Sequence, residues 1–233
     1  MRSIVLGSVR FSDSGKMVRL FTEDQGLRSF PVMGLGSSNK GRAPMFQPMS
    51  LITAEEENAK IGKLPRLTGV QRAYIFQNLY TDPIKSTIAF FCAEVTERAV
   101  VEGQANVELF DFCWHAMQWL DLDSEVTLFP VFWSLNIMRY CGVYPGSDGE
   151  GNYYDLREAK WTNAMPGHSD MLDRDNALLW LRLQHHDFES VRSIGMSSAQ
   201  RRLMLNAAIT FLHCHVIGAK ELKSVEVLRE VFS

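Results

Sequence analysis

The chain has 233 residues, of which 46% are hydrophobic and 22% are charged, the composition of an ordinary globular protein. The length allows one large domain or two small ones. No apolar run approaches the ~18 residues that span a bilayer, and the N-terminal apolar stretch is too short for a secretion signal, so we expect a cytoplasmic protein.

The net charge of −3 is unevenly distributed along the chain. Residues 1–72 contain 11 lysines and arginines against 6 acidic residues, a net of +5, whereas the remainder contains 13 against 21, a net of −8. A basic first third and an acidic remainder indicate two units with different partners, although chance clustering of charges would look the same.

The first third of the chain has the pattern of short β-strands. Runs of apolar residues alternate with turn residues at even spacing, and the predicted strands cover residues 3–9, 17–22, 27–33, 46–57 and 64–74. Five such strands fit a small barrel of the OB type. An SH3-like barrel or a short sandwich would give nearly the same pattern.

A glycine-rich stretch, residues 34–42, separates the third and fourth predicted strands and contains Lys40 and Arg42. No Gly-Lys-Ser/Thr closes it, so it is not a P-loop, and the strand-like sequence that follows excludes a dinucleotide-binding fingerprint. We predict a flexible basic loop.

Beyond Asp82 the pattern is helical. Asp82 and Pro83 form an N-cap followed by proline, and apolar residues then recur at three- and four-residue steps. Residues 146–170 are polar and predict a long connection with one short strand or turn at residues 153–158. The helical pattern returns near Asn176. Caps for the other helices are predicted at Asn106, Ser124, Ser197 and Ser224.

These patterns predict an α+β protein, with an N-terminal five-stranded OB-fold β-barrel in residues 1–78 and an all-helical C-terminal domain in residues 79–233. Cysteines occur at four widely spaced positions without a CxxC pair, so we expect buried free thiols and no metal or other cofactor. They are Cys92, Cys113, Cys141 and Cys214.

Histidines offer weak candidates for a metal or general-base site at His185–His186–Asp187 and at His213 and His215. Adjacent residues on a helix point in different directions, so surface or hydrogen-bonded histidines are favoured. Neither a G-x-S-x-G nor a Walker motif is present, and we expect no enzymatic activity.

Three segments carry a resemblance to a known family. The opening IVLGSVRFSDSGKMVRLFTEDQGLRSFPVMG contains an "LFT-x-x-x-G" strand end, residues 46–51 contain a "QP-x-x-L" element, and residues 218–228 contain an "LKS-x-x-VL" ending. In their order and spacing, over strands followed by helices, these segments resemble the RecO family along nearly the whole chain.

The resemblance implies an N-terminal OB-fold that binds single-stranded DNA, with binding of double-stranded DNA left open. It also implies strand annealing and, with the partner RecR, loading of the recombinase RecA onto strands coated by single-strand-binding protein, in association with the nucleoid. Some members carry a four-cysteine zinc cluster, but residues 140–172 here contain only Cys141, which indicates a zinc-free branch.

Cations of the first third are the candidates for phosphate contact, with ordinary surface solubility as the alternative. They are Arg10, Lys16, Arg19, Arg28, Lys40, Arg42, Lys60, Lys63 and Arg66. Aromatic candidates for base stacking are Phe11, Phe21, Phe30, Phe46 and Tyr74, several of which the strand alternation places in the core.

In the resembling family the helical domain binds the acidic C-terminal tail of single-strand-binding protein, which ends in phenylalanine. Such a tail needs an apolar pocket beside cations. The candidate cations are Arg139, Arg201, Arg202, Lys220 and Lys223, with pairing to local carboxylates as the alternative.

Two other functions compete with that of a DNA-binding mediator. The second is a helical scaffold whose β-domain binds protein, and the third is a metal-dependent phosphodiesterase.

Overall fold

The computed structural model describes residues 1–12, 15–33, 43–57, 64–144, 146, 149–184, 187–192, 194–218 and 221–231. The chain divides into two compact units, Met1–Asp123 and Ser124–Ser233. The predicted fold class is confirmed, because a five-stranded antiparallel sheet precedes a helical remainder. Within the described ranges, no helix is long and apolar enough to cross a membrane.

The sheet of the first unit has the spatial order β3-β2-β1-β4-β5, with every pair antiparallel. The edge strands β3 and β5 contact each other, so the sheet curls like a barrel, but no ladder joins these two strands in the described residues. The strands are β1 (Arg2–Arg10), β2 (Gly15–Thr22), β3 (Gly26–Met33), β4 (Leu51–Glu57) and β5 (Arg66–Arg72).

Two helices, α1 (Pro83–Ala99) and α2 (Val107–Leu122), complete the first unit. Both faces of the sheet carry buried apolar side chains. Cross-strand partners lie on the same face, which assigns these side chains to one face or the other. On one face Phe21 lies opposite Ile4, and its ring meets that of Phe110 on α2 edge-on at 5.4 Å. The other face forms the barrel core, with Val5, Val18, Leu20, Phe30, Val32, Phe46 and Ile52.

The second unit combines helices with a small sheet in which β6 lies between β7 and β8. Tyr154 at the centre of β6 is fully buried, and its ring meets Trp161 edge-on at 5.6 Å. The elements are α3 (Phe129–Tyr140), β6 (Tyr153–Asp155), β7 (Lys160–Thr162), β8 (Met171–Asp173), α4 (Arg174–Leu183), α5 (Phe188–Arg192), α6 (Ser198–Leu212), a π-helical turn (His213–Ile217) and α7 (Ser224–Val231).

Helix caps follow the sequence closely. Asp82 accepts hydrogen bonds from the backbone N–H groups of Ile84 and Lys85 at 2.8 and 3.2 Å, and Asn106 caps α2. Ser197 forms the predicted reciprocal capping box with Gln200. These short polar side chains satisfy N–H groups that the first helical turn leaves without a partner.

Four predicted features are wrong in detail. Residues 146–170 contain two strands of the small sheet, β6 and β7, where one short strand or turn was expected. The fourth strand begins at Leu51 rather than at residue 46, because Ala43–Phe46 is a 3-10 turn and Pro48 has no N–H for a ladder. Ser124 does not cap α3, which begins at Phe129 with a proline in its first turn. Cys214 is exposed, whereas Cys92 and Cys113 are buried as predicted and burial raises the pKa of the Cys92 thiol.

The connection from β5 to α1 is held by the fully buried carboxylate of Asp121 on α2. Its Oδ1 accepts the backbone N–H groups of Asn78 and Leu79, both at 2.7 Å, and its Oδ2 accepts that of Gln77 at 2.9 Å. The buried Lys85 ammonium donates to the Asp121 carbonyl at 2.8 Å. A buried charge is tolerated only when it is hydrogen-bonded in this way.

Asp121→Ala tests this anchor. Because it leaves three backbone N–H groups without their charged acceptor, we expect the free energy of unfolding to fall by about 3 kcal/mol or more. Urea denaturation measures the change, with Asp24→Ala, an exposed aspartate of the same unit, as the control. Equal stability of the two variants would contradict the anchoring role.

The turn between β2 and β3 depends on Gly26. Its φ is +64°, and a Cβ there would lie 2.1 Å from the carbonyl oxygen of Gln104 and 2.6 Å from that of Val101. Leu27 donates its backbone N–H to the Val101 carbonyl at 3.2 Å, so the turn and the segment after α1 approach through backbone contacts. Only glycine permits this approach.

We expect Gly26→Ala to destabilise the protein more than Gly103→Ala does. Gly103 has a similar φ of +72°, but nothing lies within 4 Å of the position that a Cβ would take there, so its substitution carries only the backbone cost of about 1 kcal/mol. Gly26→Ala adds about 2 kcal/mol, because a backbone segment must move. Thermal unfolding measures the melting temperatures of the two variants. Equal melting temperatures would contradict a backbone clash at Gly26.

Candidate functional site

The predicted phosphate contacts divide into three groups. Lys40, Arg42, Lys60 and Lys63 lie outside the described residues. Arg19 forms an ion pair with Glu97 of α1, and Arg28 pairs with Glu56 at 2.9 Å and lies over the Phe30 ring. A phosphate would have to compete with these carboxylates, and the assignment of Arg19 and Arg28 to DNA stays a prediction.

The remaining cations lie on the strand ends. Arg66 is exposed at the start of β5, and its cross-strand neighbour is Glu57. Arg10 and Lys16 lie directly opposite each other near the turn between β1 and β2. Like charges in this arrangement repel by roughly 0.2–1 kcal/mol. Arg10 also donates from its Nε to the Ser12 carbonyl at 3.2 Å.

Next to this cation pair lies Phe11, half of which is exposed. Its ring rests on Gly15, where an added Cβ would come within 2.7 Å of the ring edge. The exposed side chains of Val9 and Met33 lie on the neighbouring strand ends. We call this surface the hairpin tip, and define it as Val9, Arg10, Phe11, Lys16 and Met33.

Of the five aromatic candidates for base stacking, Phe11 at the hairpin tip is the most exposed. Phe21, Phe30 and Phe46 are buried, and Tyr74 is partly buried with its hydroxyl directed at Asp121. Phe11 is therefore the most exposed of the aromatic candidates, and it directly follows Arg10 in the chain. The hairpin tip has the chemistry to contact phosphates through charge and bases through stacking.

In the second unit a groove open to solvent, with a volume of about 500 Å³, lies between the starts of α3 and α6 and the end of α7. Its apolar walls include Pro130, Val131 and Leu205. Two of the predicted partner-binding cations line it, together with a third that the sequence analysis missed. We call it the arginine groove, after Arg201, Arg202 and Arg229.

Hydrogen bonds orient two of these guanidinium groups. Arg201 donates to the Met196 carbonyl at 2.7 Å and to the Ser198 hydroxyl at 2.9 Å. Arg229 donates to Asn206 Oδ1 at 2.8 Å, and Arg202 is exposed. The N-terminus of α3, which has no side-chain cap, also faces this region and favours negative charge. The groove thus combines apolar walls with positive charge.

The other predicted partner contacts do not line the groove. Arg139 is exposed at the end of α3 over the Tyr140 ring, Lys223 precedes α7, and Lys220 lies outside the described residues. Arg229 was missed because nothing in the sequence shows that the end of α7 lies beside α6. Its cue is the amphipathic pattern of α7, in which Val225 and Leu228 are buried.

The histidine candidates have structural contacts. His213 Nδ1 is 2.7 Å from the Gly218 carbonyl oxygen, and His215 Nε2 is 2.9 Å from that of Leu156. His185 and His186 lie outside the described residues. Where the structure describes the chain, no group of three or more His, Cys, Asp or Glu side chains could hold a metal ion.

Comparison with known proteins covers both units. The family model "Recombination protein O N terminal" matches residues 1–76, and "Recombination protein O C terminal" matches residues 80–225. The chain is similar to the DNA repair protein RecO of Flavobacterium johnsoniae, at 30% identity over 100% of this chain and 98% of the relative.

A second relative, the DNA repair protein RecO of Bacteroides fragilis, is 31% identical over 98% of this chain and 97% of its own length. A third, from Phocaeicola vulgatus, is 30% identical over 99% and 97%. The two family models and these full-length relatives confirm the resemblance seen in the sequence, and the chain belongs to the RecO family.

Proposed function

We propose that this protein is a recombination mediator in DNA repair and has no enzymatic activity of its own. It binds single-stranded DNA through the sheet of the first unit and anneals complementary strands. With RecR it helps to load RecA onto strands coated by single-strand-binding protein. The names of its relatives support the role in DNA repair, and the hairpin tip is the observation that carries the DNA-binding step.

The hairpin tip supports this proposal because it combines two cations at directly opposed strand positions with an exposed aromatic ring. A single strand supplies a phosphate for Arg10 and Lys16 and a base for Phe11. Neither contact selects a base, so binding should be independent of sequence. The exposed Val9 and Met33 would suit a protein partner as well, and measurements of DNA affinity separate the two.

The double variant Arg10→Ala/Lys16→Ala tests phosphate contact. The slope of log affinity against log salt should fall by about 1.4, since each phosphate contact to a single strand contributes about 0.7. Fluorescence anisotropy with a labelled oligonucleotide, with and without magnesium, measures the slope. The control Lys160→Ala/Arg182→Ala removes two cations of the second unit and should leave the slope unchanged.

Phe11→Leu separates stacking from charge. It keeps an apolar side chain but removes the aromatic face, so affinity should fall about tenfold at every salt concentration with no change in slope. Absence of binding by the wild type would instead favour the scaffold, and cleavage of the oligonucleotide with magnesium would favour a hydrolase.

We propose further that the arginine groove binds the acidic C-terminal tail of single-strand-binding protein. The tail's final phenylalanine would lie against Val131 and Leu205, and its carboxylates would pair with the three arginines that define the groove. Positive charge must be local here, because the sequence beyond residue 72 has a net charge of −8. The three arginines provide it.

An acidic peptide ending in phenylalanine should bind the full-length protein with an affinity that falls with salt. Arg202→Ala should weaken binding about tenfold, because it removes one charge-assisted contact. Arg139→Ala tests the alternative location at the end of α3 and should have a smaller effect. Anisotropy with a peptide that lacks the final phenylalanine is the control, and equal binding of both peptides would exclude an apolar pocket.

A further inference from the structure

A second cleft lies in the first unit, where β5 ends and the chain leads to α1. It has a volume of about 350 Å³ and is open to solvent. The cleft is lined by several residues that could contact a ligand, among them Gln47, Arg72, Tyr74, Ile75, Phe76 and Tyr80. We call it the aromatic cleft; neither Arg72 nor Phe76 was a candidate in the sequence analysis.

The aromatic side chains of the cleft are held in place before any ligand binds. Phe76 contacts Tyr74 and Tyr80 edge-on, with ring centroids 5.0 and 5.7 Å apart. The Tyr80 hydroxyl donates to the Pro48 carbonyl at 3.0 Å and lies 2.9 Å from the Ser50 hydroxyl. Burial raises the pKa of Tyr80 to about 12, so this hydroxyl stays a donor. The wall is therefore preorganised, which lowers the cost of binding.

The charge at the cleft is positive. Arg72 is exposed, and among the described residues no carboxylate lies within ion-pair distance of it. Asp121, the acidic group behind the tyrosines, already accepts three backbone N–H groups, and the Lys85 ammonium lies against its carbonyl. Arg72 can therefore pair with an anion that enters the cleft.

The other groups suit a nucleobase. Ile75 is 69% exposed and offers an apolar surface beside Phe76, which is partly exposed. The exposed amide of Gln47 can both donate to and accept from a base edge. A guanidinium, an aromatic wall and an amide together match the phosphate, face and edge of one nucleotide.

The position of the cleft would allow a single DNA strand to contact both the hairpin tip and the cleft. Arg72 is the ladder partner of Ile52, which is the partner of Ser3 on β1, whereas Arg10 lies at the other end of that strand. Seven residues of β-strand span roughly 23 Å. A DNA strand that covers this distance is compatible with the binding-site size of one OB fold, which is about 4–16 nucleotides.

We propose that the aromatic cleft binds one nucleotide of a single strand, with a phosphate at Arg72 and the base against Ile75 and Phe76. This rests on the proposed DNA-binding function and adds a second contact point to it. A strand long enough to reach from the hairpin tip to the cleft gains both contacts, and a shorter strand gains one.

The experiment compares a 4-mer and a 16-mer oligonucleotide on the full-length protein. Arg72→Gln and Ile75→Ser, which change exposed side chains, should each weaken the 16-mer about fivefold at constant melting temperature. Control variants are Arg182→Gln for the loss of a cation and Val107→Ser for the loss of an exposed apolar side chain. The double variant at the hairpin tip together with Arg72→Gln loses the phosphate contacts of both sites and should bind the 16-mer more weakly than either parent variant does.

Photo-crosslinking locates the contact directly. A 16-mer with halogenated uracil bases should crosslink to the tryptic peptide 73–85, as mapped by mass spectrometry. If the wild type binds the 16-mer but crosslinks only elsewhere, and both cleft variants bind it normally, the cleft is not a nucleotide site and the proposed function stands. Loss of RecR binding with normal DNA binding in these variants would assign the cleft to a protein and overturn the inference. If the wild type binds no strand, the proposed function fails.

Discussion

The buried carboxylate of Asp121 is the interaction on which the first unit depends. A charge removed from water is costly, and here three backbone N–H groups compensate for that cost. Those N–H groups belong to the segment between the sheet and the helices, so α2 fixes where the strands end and α1 begins. The predicted boundary at residues 78/79 falls inside this segment. The tyrosines of the aromatic cleft also take their positions from it.

Arginines then tie the sheet to its helices. Arg2 of β1 donates to Glu23 and to Asp111 of α2 and lies over two aromatic rings, and its hydrogen bond lowers the pKa of Glu23. Arg19 connects β2 to α1 in the same way. The positive charge of the first third of the chain is therefore partly engaged inside the unit, in ion pairs between the sheet and its helices.

Local chemistry explains which features could be predicted. Caps such as Asp82 and Ser197 are recognisable because each needs one side chain and backbone N–H groups two or three residues later. Strand alternation likewise identified the sheet, but it could not decide between exposed and buried aromatics such as Phe11 and Phe21. Contacts between distant segments leave no local pattern, so the anchoring role of Asp121, the third arginine of the groove and the aromatic cleft could not be predicted from the sequence.

The small sheet of the second unit spans residues 153–173, most of the stretch in which the sequence analysis looked for zinc-binding cysteines. Here its three strands are held by backbone ladders and by the buried ring of Tyr154. Residues 140–172 contain one thiol, Cys141, and burial raises its pKa, which keeps it in the less reactive protonated form. The fold of residues 153–173 therefore depends on main-chain hydrogen bonds and a buried ring.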